Sequence, residues 1–305
     1  MAIKHFDIVV PGHYYCDVIF TGLPSFPALG TEIFTDDLMV VPGGVMNTVV
    51  GLSRLGVQVG WLGSLGTDFF SRFIRERISE EGIDATLLKQ LDAPLRRVTV
   101  AMSYPHDRAF LTYVDKPPSL AALLQDLLDR DDVTLAHLHF PGLALDPDLL
   151  PLLRLCRERR IKLSMDSQHQ DDDLSNPLVR ETLSLLDVFM PNSSEAKHLT
   201  NTATIDDAAQ VLQQFVKYLV IKDGAYGAQA WDSGHHSQAP AIRVEPVDTT
   251  GAGDIFNAGF LSAYMAGHPA PVCLQWGNIA GGISTTGYGG CTKAPTQQIL
   301  QDWLR

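Results

Sequence analysis

Near the C-terminus the chain reads Asp248-Thr249-Thr250-Gly251-Ala252-Gly253-Asp254, followed by a helical pattern from Ile255 to Ala266. Three small residues at a helix start leave backbone N–H groups unpaired and unshielded, and the positive end of the helix dipole adds to them. Such a cradle binds an anion. Asp254 stands one residue further on, where a carboxylate would repel that anion. It makes sense there as a base that takes a proton from a hydroxyl, while the amides of Gly251, Ala252 and Gly253 stabilise a phosphoryl group in transfer. The plain alternative is a glycine-rich helix start with an aspartate in the first turn as a dipole partner.

Three further clusters carry polar groups beside flexible backbone. Pro42-Gly43-Gly44-Val45-Met46-Asn47 opens a helical pattern. Gly43 and Gly44 let backbone approach a ligand closely, and Asn47 can both donate to and accept from hydroxyls; a turn followed by an N-cap Asn is the alternative. Asp17, just past the first strand pattern, could accept two sugar hydroxyls or be a solvated turn residue. Pro191-Asn192-Ser193-Ser194-Glu195 sets Asn192 and Glu195 one helical turn apart. Two oxygens on one face suit Mg²⁺ through its waters, and the same spacing is that of a capping box. Lys222-Asp223-Gly224-Ala225-Tyr226-Gly227 supplies a cation and two permissive backbone positions where a nucleotide could lie.

The elements that must position these residues alternate. Strand patterns cover Phe6 to Pro11, Val57 to Leu62, Leu135 to Phe140, Lys162 to Met165, Val188 to Met190 and Tyr218 to Ile221. Helical patterns cover Asn47 to Leu55, Phe69 to Glu80, Ser119 to Asp129, Pro147 to Arg159 and Asp206 to Phe215. Gly56 and Gly82 follow two of these where a helix C-cap is expected. Alternation of this kind predicts a parallel sheet with helices on both faces and a site beyond the C-terminal strand ends. Two segments break the rhythm. Val18 to Val41 has no helical pattern, and Arg97 to Val114 reads as strand, a Pro105-His106-Asp107-Arg108 turn, and strand. They are expected to form one small sheet outside the main one, as a flap over the pocket, a dimerisation surface, or both.

With 305 residues, 45% apolar and 19% charged, the composition is that of a soluble globular protein. A net charge of −12 argues against a nucleic-acid-binding face, which needs clustered Lys and Arg. No stretch approaches the roughly 18 apolar residues of a membrane helix, and no signal core is visible, so a cytoplasmic protein is expected. Cys16, Cys156, Cys273 and Cys291 form no CxxC pair and read as reduced structural thiols. His137 and His139 on a strand, and His235-His236 in a polar turn, lack the Cys or carboxylate partners of a metal site.

Taken together, the GGxxN cluster, PNSSE, the Lys222 to Gly227 loop and DTTGAGD resemble the motifs of the pfkB carbohydrate kinase family, in order and spacing over essentially the whole chain. The resemblance implies one ribokinase-like domain over 1–305: a three-layer α/β/α unit with a mainly parallel central sheet and a small β-sheet lid from about 18–41 and 97–114. It implies ATP as phosphoryl donor and a small sugar (pentose, hexose or keto-acid sugar) or a nucleoside as acceptor. It further implies Asp254 as base, Gly251, Ala252 and Gly253 as anion hole, and Asp17, Gly43, Gly44 and Asn47 on the substrate. Asn192 and Glu195 would position Mg²⁺, while Lys222, Gly224, Gly227 and Asn278 approach ATP. Asp248, Thr250 and carbonyls around 285–290 match a site for a monovalent cation, K⁺. Because a small sheet needs cover for its outer apolar face and edges, a homodimer through the lid is expected as well.

The chain departs from the family pattern in places. Asp166-Ser167-Gln168-His169-Gln170 stands where sugar kinases often carry Asp-x-Asn-x-Arg, Phe69-Phe70 replaces a glycine after Gly66-Thr67-Asp68, and Val45 takes a frequent Lys position. The losses disfavour a phosphosugar, whose second phosphate wants Arg or Lys. Two rival readings are a dinucleotide oxidoreductase and a non-catalytic sugar or nucleotide sensor. The first is opposed by Phe256 in the third glycine position of GxGxxG, the second by the intact Asp254, Asn192 and Glu195.

Overall fold

Apolar, β-branched runs bounded by glycine and acidic residues become strands, and amphipathic runs between them become helices. The computed structural model describes residues 3–104, 108–168 and 170–305. Most of the turn expected at Pro105-His106-Asp107, together with His169, lies outside the described residues.

The chain begins with strands β1 (Lys4–Pro11), β2 (Tyr14–Thr21) and β3 (Asp37–Gly44), then α1 (Val45–Arg54), β4 (Val59–Leu65), α2 (Phe69–Glu80) and β5 (Leu88–Gln90). Strands β6 (Arg97–Ser103) and β7 (Arg108–Val114) form a hairpin, followed by α3 (Leu120–Leu128). Alternation resumes with β8 (Val133–Phe140), α4 (Leu150–Glu158), β9 (Lys162–Asp166), α5 (Pro177–Ser184), β10 (Val188–Met190), α6 (Ser193–Thr200), α7 (Ile205–Leu212) and β11 (Tyr218–Lys222). The hairpin β12 (Ala228–Asp232) and β13 (His235–Ala239) leads to α8 (Ala252–Met265), α9 (Ala270–Ser284) and α10 (Gln297–Trp303). Helix ends follow local chemistry: Asp68 caps α2 by accepting from Ser71 N at 3.0 Å, and Gly82 follows its end at φ +64°.

The main sheet has the order β13-β12-β11-β10-β9-β8-β1-β4-β5. It is parallel from β11 to β5, and β12 and β13 add an antiparallel edge that the sequence pattern had not predicted. Side-chain alternation builds a core on each face. Val188 and Met190 of β10, with Tyr218 and Val220 of β11, pack toward α1, α8 and α9. Phe189, Leu219 and Ile221 pack with the apolar residues of α3, α4, α6 and α7 on the other face.

The expected small sheet exists, in the order β3-β2-β6-β7, with β2 and β6 parallel and the outer pairs antiparallel. It corrects one expectation. Its first two strands run over 14–44 rather than 18–41, because Gly12-His13 is all the chain needs to leave one sheet and enter the other. Asp17 therefore lies inside β2. His235 and His236 belong to β13; the turn is Ser233-Gly234, both at positive φ. Strand register separates the faces of the small sheet. Val18, Val40, Val100 and Leu111 pair in a row across all four strands, and Phe20 lies beside Leu38 and Met102. That face points away from the pocket lined by Asp17, Ile19, Thr99, Ala101 and Thr112.

Helices α8 and α9 touch at glycines. A Cβ on Gly259 would sit 2.6 Å from the Trp276 carbonyl oxygen and 2.8 Å from Ala280 Cβ. Gly259→Ala is expected to destabilise the protein by about 1–3 kcal/mol through overpacking. A urea midpoint equal to wild type would show that the helices separate without strain.

Candidate active site

A parallel sheet releases its chain at one edge, and here three consecutive strands release polar residues together. Asp166 ends β9, Asn192 follows β10 and Lys222 ends β11. With the start of α8 they line a cleft of about 770 Å³, whose walls include Gly224, Ala241, Ile242, Phe256 and Asn278. A smaller cavity of about 270 Å³ lies under the second sheet, lined by Tyr15, Asp17, Gly44, Thr99, Ser103, Arg108, Phe110 and Thr112. The Asp248–Asp254 segment reaches both: Asp248 and Thr250 line the smaller cavity, while Thr249 and residues 251–254 line the larger.

Gly251 is the residue before α8 and has φ +69°. A Cβ there would lie 2.6 Å from Gly290 Cα, so only glycine fits both the backbone and the space. The Ala252 N–H bonds the Thr249 carbonyl at 3.3 Å, a donor the expected cradle partly spends on its own turn. Asp254, in the first turn of α8, accepts from Asn47 Nδ2 at 3.0 Å. Burial pushes its carboxyl up to about 6; the Asn47 bond opposes this, the Asp166 charge adds to it and the Lys222 ammonium opposes it. Asn47 is thus brought to Asp254 by α1, with its Oδ1 buried and unpartnered.

In the smaller cavity, a side chain on Gly43 would collide with the Asp17 carboxylate, and Gly44 holds φ +62° against His13 and Tyr15. Burial, helped by the Asp248 charge, raises Asp17 to about 6. Beneath it, the Arg97 guanidinium stacks on the Tyr15 ring at 4.6 Å and donates to its hydroxyl at 2.8 Å.

Asn192 and Glu195 form both halves of a capping box: Asn192 Oδ1 accepts from Glu195 N and Glu195 Oε2 accepts from Asn192 N, each at 2.9 Å. Both line the cleft, and Glu195 Oε1 remains a hard oxygen donor of the kind Mg²⁺ takes. Burial raises the Glu195 pKa. Two expected nucleotide residues, Gly227 and Asn278, line the cleft and also hold its neighbouring backbone. Any side chain on Gly227 would strike the Ala239 carbonyl, and Asn278 Nδ2 donates to the carbonyls of Ala239 and Pro240 at 2.9 and 3.1 Å. Both fix the 239–241 segment that leads into the cleft wall.

Arg108, at the start of β7, was not singled out in the sequence. Its guanidinium pairs with Asp248 Oδ1 and donates to Thr250 Oγ1 at 2.7 Å and Thr249 Oγ1 at 3.2 Å. Asp248 also accepts from Thr250 N at 2.9 Å and Gly289 N at 3.0 Å. Burial would raise its pKa, but the Gly289 and Thr250 bonds, with Arg108, hold it lowered. The side chains of Asp248 and Thr250 do not fit a monovalent cation while Arg108 holds them. Asp166 and Asn257, bonded to Lys222, were likewise not assigned a role; Asp166 stood in a stretch noted only for its departures. Among the described residues no cluster of His, Cys, Asp and Glu has the arrangement of a metal site, and no helix is long and apolar enough to cross a membrane.

A family model for pfkB family carbohydrate kinases matches residues 33–297. A ribokinase from Bacillus subtilis is 25% identical over 303 residues, covering 98% of this chain and 99% of that protein. The structure of an Arabidopsis thaliana ribokinase complexed with ribose and ATP superposes with a TM-score of 0.80 at 19% identity, covering 100% of this chain and 99% of that one. A Vibrio cholerae fructokinase double mutant bound to fructose, ADP and potassium ion gives 0.79 at 23% identity, with the same coverage.

Arg108 ties the second sheet to the start of α8. Replacing it with Met keeps the stem and removes the charge. Hydrogen exchange of the β6 and β7 amides is expected to become several-fold faster, because a strand pair held by few contacts opens more often. Unchanged exchange would mean that the ion pair does not hold the sheet down.

Proposed function

The chain belongs to the pfkB family of carbohydrate kinases, phosphotransferases that act on hydroxyl groups, and we propose that it transfers the γ-phosphoryl group of ATP to a hydroxyl of a small, unphosphorylated sugar. One observation carries the reading: a single seven-residue segment, ending in a carboxylate of raised pKa, lines both cavities. The smaller cavity offers Asp17 and the hydroxyls of Thr99, Ser103 and Thr112, a lining suited to a polyol such as a pentose, hexose or keto-acid sugar. The larger has the apolar walls and open glycine backbone that an adenine nucleotide needs.

In this reading Asp254 takes the proton of the substrate hydroxyl. The oxygen forms a bond to Pγ as the bond from Pγ to the bridging oxygen breaks, and that electron pair leaves with ADP. The amides of residues 251–253 face the charge on the transferred group. Asn47 holds Asp254 in place. Asn192 and Glu195 would hold Mg²⁺, which neutralises phosphate charge when bound. The second sheet serves as a lid that excludes water, and its apolar outer face is covered by a second copy in a two-fold dimer. Four buried free thiols suit a cytoplasmic setting.

A panel of sugars and nucleosides with Mg-ATP, scored by ADP release, tests the reading; turnover of nucleosides alone would replace the sugar by a nucleoside. On the true substrate Asp254→Asn is expected to lower kcat by about 10²–10⁴ while retaining ATP affinity. In the wild type kcat/KM should fall about tenfold per unit below about pH 6, as the raised carboxyl takes up its proton and ceases to be a base. A flat profile from pH 7 to pH 5 would remove Asp254 from the mechanism. Glu195→Gln preserves an acceptor for the Asn192 N–H, so melting should hardly change while the Mg²⁺ concentration for half-activity rises. Lowered melting with unchanged metal dependence would leave Glu195 as a cap alone.

A further inference from the structure

We propose that the Lys222 ammonium grips the γ-phosphoryl group as it is transferred, and that Asp166 and Asn257 are positioning residues that aim it; this deepens the kinase reading and rests on it. The side chain lies at the C-terminal end of a central strand, and the residue is only 9% exposed. Its Nζ donates to Asp166 Oδ2 at 2.6 Å and to Asn257 Oδ1 at 3.3 Å. Asn257 Nδ2 donates to the same Asp166 oxygen at 2.5 Å, which closes a triangle. The remaining Asp166 oxygen accepts from Ser167 N at 2.7 Å.

An ammonium has three donors, and the triangle uses two. A Cβ built on Gly253 would stand 3.4 Å from Nζ. The ammonium therefore borders Gly253, the last residue of the anion cradle, and any side chain on Gly253 would come between the two. The Lys222 charge is also felt by Asp254 and by Glu195, and in both it favours the ionised form. A phosphoryl group entering the cradle thus meets backbone N–H groups on one side and a cation on the other.

The arrangement makes little sense as a stabilising device. A buried ion pair is weak support for a fold, since well-packed apolar residues often do as well. This one lines the cleft, at the end of the strand next to the metal-binding candidates. A loose phosphoryl-transfer transition state spreads charge over three equatorial oxygens, and a preformed cation answers that charge without reorganising. Lys222 keeps its proton throughout; the proton of the acceptor hydroxyl goes to Asp254 and the electron pair of the broken bond to ADP. Asp166, with both oxygens occupied, is not a second base.

Lys222→Met alone would strand the buried Asp166 carboxylate and could unfold the protein. The test uses Lys222→Met with Asp166→Asn, beside Asp166→Asn and the wild type. ADP and β,γ-imido-ATP, each with Mg²⁺, are titrated by calorimetry. Wild type is expected to prefer the triphosphate. The double variant should bind ADP within about twofold of wild type, lose the preference, and lose about 10²-fold or more in kcat with the sugar KM unchanged. Asp166→Asn should lose part of the preference without losing ADP affinity. A double variant that keeps the preference, or weakens both nucleotides alike, overturns the proposal while leaving the kinase reading intact. A wild-type protein that binds neither nucleotide overturns both.

Discussion

The N-terminus of α8 has to meet the C-terminal ends of β9, β10 and β11, and most of the site depends on that junction. An amide cradle is useful only where water is kept away and charged side chains stand opposite it. Strands that run in parallel leave the sheet at the same edge, so Asp166, Asn192 and Lys222, distant in sequence, arrive side by side. Glycine makes the junction fit. Gly251 turns through a left-handed conformation against Gly290, while Gly259 lets α8 approach the α9 backbone and Gly277 makes room for the Phe256 ring.

Much of this was legible in the sequence because it is local. DTTGAGD announced a glycine-rich helix start with a carboxylate in its first turn. The alternation of strand and helix gave the sheet, and the two interruptions gave the second sheet. Spacing could not report side chains that work through another element. Asn47 was read as a substrate ligand, and in the fold α1 delivers it to Asp254. Gly227 and Asn278 were read as neighbours of the nucleotide; both line the larger cleft, and both also hold the 239–241 backbone, a contact that spacing does not reveal. Arg108 lies 140 residues from Asp248. Nothing in the local sequence around it marks it, since a single arginine on an exposed hairpin is ordinary. Strand boundaries also drifted where two strands of different sheets follow each other with only Gly12-His13 between.

PNSSE bears on two readings that the sequence set against each other. The capping box is formed, with both reciprocal bonds at 2.9 Å, yet it uses only one oxygen of Glu195. A cap that orders the first turn of α6 also restrains the Glu195 side chain, which lines the cleft. The one spacing is compatible with local helix capping and with the metal-holding role proposed above.

The second sheet closes over the smaller cavity with its polar face inward, and Arg108 bridges its rim to three consecutive residues before α8. If that rim is what retains a molecule in the cavity, the rim must come apart before the molecule leaves. Its dwell time is then set by how often an arginine leaves a carboxylate and two hydroxyls. The breaking of such a contact is eased by dissolved ions, which screen it. Escape of a wholly uncharged guest would thereby quicken with ionic strength, although the guest itself carries nothing for salt to act upon.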